Sequence, residues 1–317
     1  GIDAAFVEIG LDRPALLPLA EHKGRLAEGD AVVVQVTRDA RDGKGARLTG
    51  RPVLPGLYLV LDPSRPTMTV SSRIADPAAA DRIRVRLAAL HGPAEGFIIR
   101  QAVVGADPES IVAEAERLRA AWREIMAACA GRRPPVLLHR DADPVVSFLR
   151  DAGGRVDEIV ADSRGVAEAL QRRLAAALPD LAGRVVFRPA RDWRPSADEI
   201  EEQVEAALDP EVALPGGGFL LFEPGRTLTA VDVNSGTAAL DGAGRRGGER
   251  LILEANLAAV PEIARQLRLR NLGGIVVIDF IDMKAVPARR RVVEAMRAAL
   301  ADDPAPTQVG TMSRFGL

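Results

Sequence analysis

A single cysteine, Cys129, in 317 residues leaves no partner for a disulfide within the chain and no set of thiolates for a zinc cluster. Zinc is therefore not expected as a cofactor of this chain. No apolar run approaches the roughly 18–20 residues that cross a bilayer. Nor do the first residues carry a basic-then-apolar export segment, so no membrane segment is expected and the expected location is the cytoplasm. Aromatic residues make up only 3% of the chain, so rings on which single-stranded bases could stack are scarce. Excess positive charge is missing too: 42 Lys and Arg stand against 44 Asp and Glu, a net charge of −2. That excludes a surface coated for nonspecific nucleic-acid binding but leaves room for a local basic groove.

What is present is the composition of a globular protein, 47% hydrophobic and 27% charged, long enough for two or more domains. Residues 1–50 read as short strands: Ala4–Gly10, Asp30–Val36 after the Glu28-Gly29 turn, and Ala46–Thr49 after Gly43-Lys44-Gly45. Such spacing suggests a small barrel. Residues 51–150 alternate strands at Gly56–Leu61, Gly96–Arg100 and Val136–His139 with helices at Ala78–Leu90, Pro108–Ala130 and from Pro144. Apolar residues Ile111, Ala115, Leu118, Trp122 and Ile125 keep the 3.6-residue period in the long helix. A compact α/β segment follows, with strands at Glu158–Ala161 and Arg184–Phe187 around a helix at Gly165–Leu178. Ser196 with Glu199 then reads as the capping box of a helix ending near Leu208.

Beyond residue 208, Gly218–Glu223 and Thr227–Val233 predict a hairpin across Pro224-Gly225-Arg226. A glycine- and arginine-rich loop, Gly236–Gly248, leads to a helix from about Glu249 to Arg270. Gly273–Ile281 is a near-continuous apolar run, as expected of a strand buried on both faces. A basic helix, Ala288–Leu300, follows.

Two acids stand out. Asp232 and Asp279 each follow a run of apolar or β-branched residues. A carboxylate there is costly if buried unpaired, so compensation is expected. Neighbouring strands would bring the two together, and their mutual repulsion would favour a bound cation. Magnesium prefers oxygen ligands and takes one or two carboxylates while keeping waters for a phosphate. Asn234 lies two residues on, on the same side of an extended strand, where it could orient a ligand or water. The structural alternative is that these Asp residues end strands and bond to turns. Asp282 fits either a supporting partner or the N-cap of the next turn. Arg265, Arg268 and Arg270 suit phosphate through their paired donors, or else form a solvated face paired with Glu262. His22, His91 and His139 are scattered without ligand spacing.

Taken together, Ala230–Ser235, Ala264–Gly274, Val277–Met283 and the ending Ser313–Leu317 resemble the ribonuclease E/G family. Ala4–Val7, Leu17-Pro18-Leu19 and Gly43–Ala46 look like that family's S1 domain, and Gly56–Leu61 with Ile99-Arg100 like its 5′-sensor region. The resemblance implies an α/β and α+β multidomain chain. Its parts would be a partial S1 (OB-type) barrel at 1–50, a 5′-sensor domain at 51–153, an RNase H-like domain at 154–207 and a DNase I-like catalytic domain at 208–317. It also implies a magnesium-dependent endoribonuclease, with manganese as a substitute ion, that cleaves single-stranded RNA to 5′-phosphate and 3′-hydroxyl ends in RNA processing or decay. Asp232 and Asp279 would hold the metal with Asn234 supporting them. Lys44, Arg100, Arg265, Arg268 and Arg270 would contact RNA, and a homodimer is expected. Where the family typically has Arg-Thr to bind a 5′-monophosphate, this chain has Arg100-Gln101. The alternative is a weakly active or non-catalytic RNA-binding relative that retains the fold; a metal-dependent DNase or phosphoesterase is the third reading.

Overall fold

The structure is a computed structural model that describes residues 3–40, 43–71, 74, 77–87, 95–141, 143–152, 156–215, 217–235, 245–301, 303, 305 and 307–313. It is mixed α/β, and its contacts divide the chain into two compact units, Gly1–Pro189 and Ala190–Leu317. Among the described residues no helix is long and apolar enough to cross a membrane.

The first unit opens with a four-stranded sheet of order β1-β2-β4-β3, made of β1 (Ala4–Val7), β2 (Ala15–Pro18), β3 (Gln35–Arg38) and β4 (Arg47–Thr49). Its core is small: Ala15, Leu17, Ala46 and Leu48. The strand expected from Asp30 begins only at Gln35, because β4 offers just three paired positions and Asp30 instead caps a turn by accepting from Ala27 N–H at 2.7 Å.

A second sheet, order β5-β6-β8-β7, comprises β5 (Leu54–Pro55), β6 (Leu59–Asp62), β7 (Met68–Val70) and β8 (Gly96–Ile99). Helices α1 (Pro77–Leu87), α2 (Pro108–Cys129) and α3 (Pro144–Asp151) accompany it. Proline at the first helical position suits α2 and α3 because its missing N–H would be unpaired there anyway. The side chain of Asp143 completes the start of α3 by accepting from Val145 and Val146 N–H. Glu114, buried on α2, accepts from the backbone N–H groups of Leu57, Tyr58 and Leu59 at 2.7–2.8 Å. A Cβ on Gly56 would overlap that carboxylate, which is why glycine stands there. Parallel strands β9 (Ile159–Ala161) and β10 (Val185–Phe187), with α4 (Arg164–Ala177) and α5 (Pro179–Ala182), complete the unit. Leu170, Leu174, Leu178 and Leu181 join Leu59, Phe97 and Ile111 in one core, so residues from about 54 to 185 pack together.

Val136–His139 forms no strand: it follows Pro134 and Pro135, which lack N–H donors, and it pairs with no neighbour. The helix assigned to a Ser196 cap is α6 (Ala190–Leu208), which begins six residues earlier and carries Ser196 inside it.

In the second unit, β11 (Glu211–Ala213), β12 (Phe219–Pro224), β13 (Leu228–Asn234) and β14 (Ile275–Asp279) form a sheet in chain order. The first three are antiparallel; β14 joins β13 in parallel after α7 (Arg245–Leu269), and α8 (Val286–Ala299) follows. Leu220, Phe222, Val231 and Val233 face α7 and α8 and pack with Ala259, Val260, Ile263, Val292 and Met296. Period-two alternation puts Phe219, Leu221, Asp232, Asn234 and Asp279 on the other face. The expectation that β14 is buried on both faces fails: among the described residues it is the outer strand of its sheet, and Ile275 is 65% exposed.

The α7–β14 connection is a Schellman turn. Leu272 N–H donates to Leu267 O at 3.0 Å and Asn271 N–H to Arg268 O at 3.1 Å, with Asn271 at φ 48°. Asparagine tolerates that left-handed backbone better than most residues.

Candidate metal centre

Asp232 and Asp279 are partners in the β13–β14 ladder, the last pair before β14 ends. Because the two strands are parallel, both carboxylates emerge at one edge of the sheet and on one face. Both are solvent-exposed, although Val231 and Val233 on either side of Asp232 are buried. The desolvation cost anticipated from the apolar flanks therefore does not arise.

Asn234, at the end of β13, donates from Nδ2 to Asp232 Oδ2 at 2.7 Å. That bond orients the carboxylate through Oδ2. Across the β12–β13 ladder, Leu221 stands opposite Asp232 and Phe219 opposite Asn234, placing one of the few rings of the chain beside the acids. Gly218 is required here, since a Cβ would overlap Asn234 O.

A cleft of about 370 Å³ is lined by Asp232, Val233, Asn234, Ser235, Asp279, Phe280, Ile281 and Asp282. Asp282 lines the same cleft, and the N-cap of α8 is Ala285. Among the described residues no cluster of three or more His, Cys, Asp or Glu is arranged to hold a metal. Asp232 and Asp279 are the carboxylates that could hold an ion at this edge, with water in its remaining positions. Magnesium accepts that arrangement, whereas a structural zinc site needs four protein ligands, largely Cys and His.

The arginines of α7 lie elsewhere. Asn256 of α7 bonds to Ile281, just past β14, so that level of the helix lies beside the acids. At about 1.5 Å per residue, Arg265 and Arg268 sit about 14 and 18 Å further along the axis. Arg265 is held by Glu262 through bonds of 2.8 and 2.7 Å, and its hydrogen bond lowers the Glu262 pKa. Arg268 reaches Ala299 O at 3.4 Å. Arg270 donates to Gln266 and Asp209 O and stacks over Phe222 at 4.7 Å. The structure therefore does not bring these three to the acid pair. The side chains of Arg245 and Arg246, and residues 236–244 and 314–317, lie outside the described residues.

In the first unit, Lys44 is exposed in the turn before β4. Arg100 donates to Gly56 O at 2.6 Å and to Asp151 Oδ1 at 2.8 Å. Its guanidinium is already engaged by a carboxylate of the same unit.

Sequence reasoning passed over Asn256, Phe219 and Gly218. A signal for Asn256 was available: it is a polar residue in phase with Leu253, Val260, Ile263 and Leu267 on the apolar face of α7.

The second unit is thus an α/β layer whose sheet face opposite α7 and α8 carries paired carboxylates near the carboxyl ends of two parallel strands. Residues 53–317 match the model of the ribonuclease E/G family. Ribonuclease E of Haemophilus influenzae is 37% identical over 337 residues, covering 100% of this chain and 35% of the relative. Ribonuclease E of Escherichia coli is 36% identical, with 100% and 31% covered, and ribonuclease G of Escherichia coli is 33% identical, with 100% and 68% covered. This chain belongs to the ribonuclease E/G family. It spans about a third of the length of the ribonuclease E relatives and about two thirds of ribonuclease G.

Proposed function

We propose that this chain is an endoribonuclease that cleaves single-stranded RNA with magnesium held by Asp232 and Asp279, leaving 5′-phosphate and 3′-hydroxyl ends, in RNA processing or decay. The observation that carries the reading is the ladder pairing of these two acids at one sheet edge, inside a region that matches the ribonuclease E/G family.

In this reading the two carboxylates hold the ion, and Asn234 keeps Asp232 turned towards it. The bound ion supplies charge stabilisation at the phosphodiester and lowers the pKa of the attacking water. Phe219 and Leu221 give the nucleotide beside the cleft an apolar surface to lie on. The same proposal takes residues 1–50 as S1-like, 51–153 as 5′-sensor-like, 154–207 as RNase H-like and 208–317 as DNase I-like. Lys44 and Arg100 would be RNA contacts of the first unit. Manganese would substitute for magnesium, since it too accepts carboxylate and water ligands. The expected homodimer belongs to this proposal and is read by light scattering of the purified chain.

The test is cleavage of a fluorescent single-stranded oligoribonucleotide with and without Mg2+, comparing the unmodified chain with Asp232→Asn and Asp279→Asn. Loss of at least about a hundredfold in each variant is expected if the acids hold the ion. Equal cleavage by all three proteins would show that the site is wrong. RNA binding without cleavage by the unmodified chain would favour the non-catalytic relative, and equal action on a matched DNA would favour a broader phosphodiesterase.

A further inference from the structure

Asn256 is the most deeply buried polar side chain among the described residues of the second unit, with no exposed surface. It sits on α7 among Ala259, Val260 and Ile263 of the core. Its amide spends both functions on one residue: Nδ2 donates to Ile281 O at 2.8 Å, and Oδ1 accepts from Ile281 N–H at 3.0 Å.

Ile281 lies two residues past Asp279, the last paired residue of β14, and one before Asp282. The chain there has left the ladder, so β13 no longer holds it. This is also the outer strand of the sheet, with no neighbour on its far side among the described residues. A strand end in that position, carrying one of two repelling carboxylates, would relax by swinging Asp279 away from Asp232. The Asn256 amide supplies the donor and acceptor that a further strand would have supplied. It thereby fixes the segment from Asp279 to Asp282 that lines the cleft.

We propose that Asn256 is a positioning residue that holds Asp279 opposite Asp232 before an ion arrives, so that metal binds to a preformed pair. The inference rests on the reading of Asp232 and Asp279 as metal ligands. Asparagine suits the task because a neutral amide matches a peptide group, donor to acceptor and acceptor to donor. Aspartate could accept from Ile281 N–H but not donate to Ile281 O, and an apolar residue would leave both Ile281 groups unpaired.

The experiment measures Mn2+ binding to the full chain by electron paramagnetic resonance, comparing the unmodified protein, Asn256→Ala, Asn256→Leu and Asp279→Asn. Loss of the clamp is expected to weaken Mn2+ binding about 10- to 100-fold. The Mg2+ concentration needed for half-maximal cleavage should rise by the same factor, with kcat recovering at saturating Mg2+. Folded Asn256 variants that bind Mn2+ as the unmodified chain does would overturn the proposal and leave Asn256 an ordinary core hydrogen bond. If Asp279→Asn also binds Mn2+ unchanged, it is the metal-site reading that has failed, and the two failures are thereby told apart.

Should the Asn256 variants not fold, hydrogen exchange at the Ile281 amide of the unmodified protein decides. Protection that is full without metal and unchanged by Mg2+ is expected of a preformed clamp. An Ile281 amide that exchanges freely until Mg2+ is added would mean the ion orders the segment, and would overturn the inference.

Discussion

Asn234 and Asp232 are two residues apart on one strand, and the 2.7 Å bond from the amide of the first to the carboxylate of the second joins neighbours on the same face. Asn234→Ala removes this bond without opening the core, because its side chain is only half-buried. Cleavage should fall about 10- to 100-fold, as is usual when a residue orienting a metal ligand is lost. Thermal stability should change little. The check is kcat as a function of Mg2+ concentration beside a melting curve.

Glu114 is a matter of stability rather than chemistry. Burial pushes its carboxyl pKa up, while the three N–H groups of Leu57, Tyr58 and Leu59 and the charge of Arg117 pull it back. Glu114→Ala would strand those three donors in the interior. At about 1–3 kcal/mol for each unsatisfied group, a loss of at least about 3 kcal/mol is expected. Urea denaturation of the variant measures it, and a loss below about 1 kcal/mol would show that water replaces the carboxylate.

Asp151 gives the first unit a pH dependence of definite sign. Burial alone would raise its pKa, but the hydrogen bond from Arg100 and the charge and hydrogen bond of Arg150 outweigh that and hold it below the usual carboxylate range. A depressed folded-state pKa stabilises above the unfolded value, near 3.9, and that stability is lost as pH falls through the folded one. Asp151→Asn should therefore flatten the acid limb of the stability curve below about pH 4. The variant also frees Arg100 from its carboxylate. RNA carrying a 5′-monophosphate should then be favoured over 5′-hydroxyl RNA more than by the unmodified chain, as paired cleavage rates would show.

Arg270 separates two uses of an arginine. Its bonds to Gln266 and Asp209 O and its place over the Phe222 ring tie it to the fold. Arg270→Ala is expected to destabilise the chain by about 1–2 kcal/mol through the lost stacking and hydrogen bonds. It should leave the salt dependence of RNA binding unchanged. A decrease of about one in the slope of log affinity against log salt would instead identify it as a phosphate contact.

Much of the second unit is legible in its residues because periodicity and turn chemistry agree there. The hairpin across Pro224-Gly225-Arg226 follows from two β-forming runs around a turn, the helix ending before Asn271 was expected from about Glu249, and the acids fall near strand ends as their flanks suggest. Burial was harder to read. An apolar run such as Ile275–Ile278 looks the same whether its strand lies inside a sheet or at its edge, since that depends on partners distant in sequence. The surroundings of the α7 arginines were hidden for a related reason: composition reports their charge, not that Glu262, Gln266 and Phe222 engage Arg265 and Arg270. The 3.6-residue period did contain Asn256, but only pairing with Ile281 gives its burial a purpose.

The turn from Leu267 through Gly274 sets more than a direction. Side chains along β14 alternate between the core face and the cleft face with a period of two. One residue added or lost in that turn, with the pairing of β13 and β14 otherwise kept, would carry Asp279 to the core side and bring Ile278 or Phe280 out in its place. The length of this connection therefore works as a reading frame for the acid pair, and it must be counted in whole residues when relatives are grafted or loops redesigned.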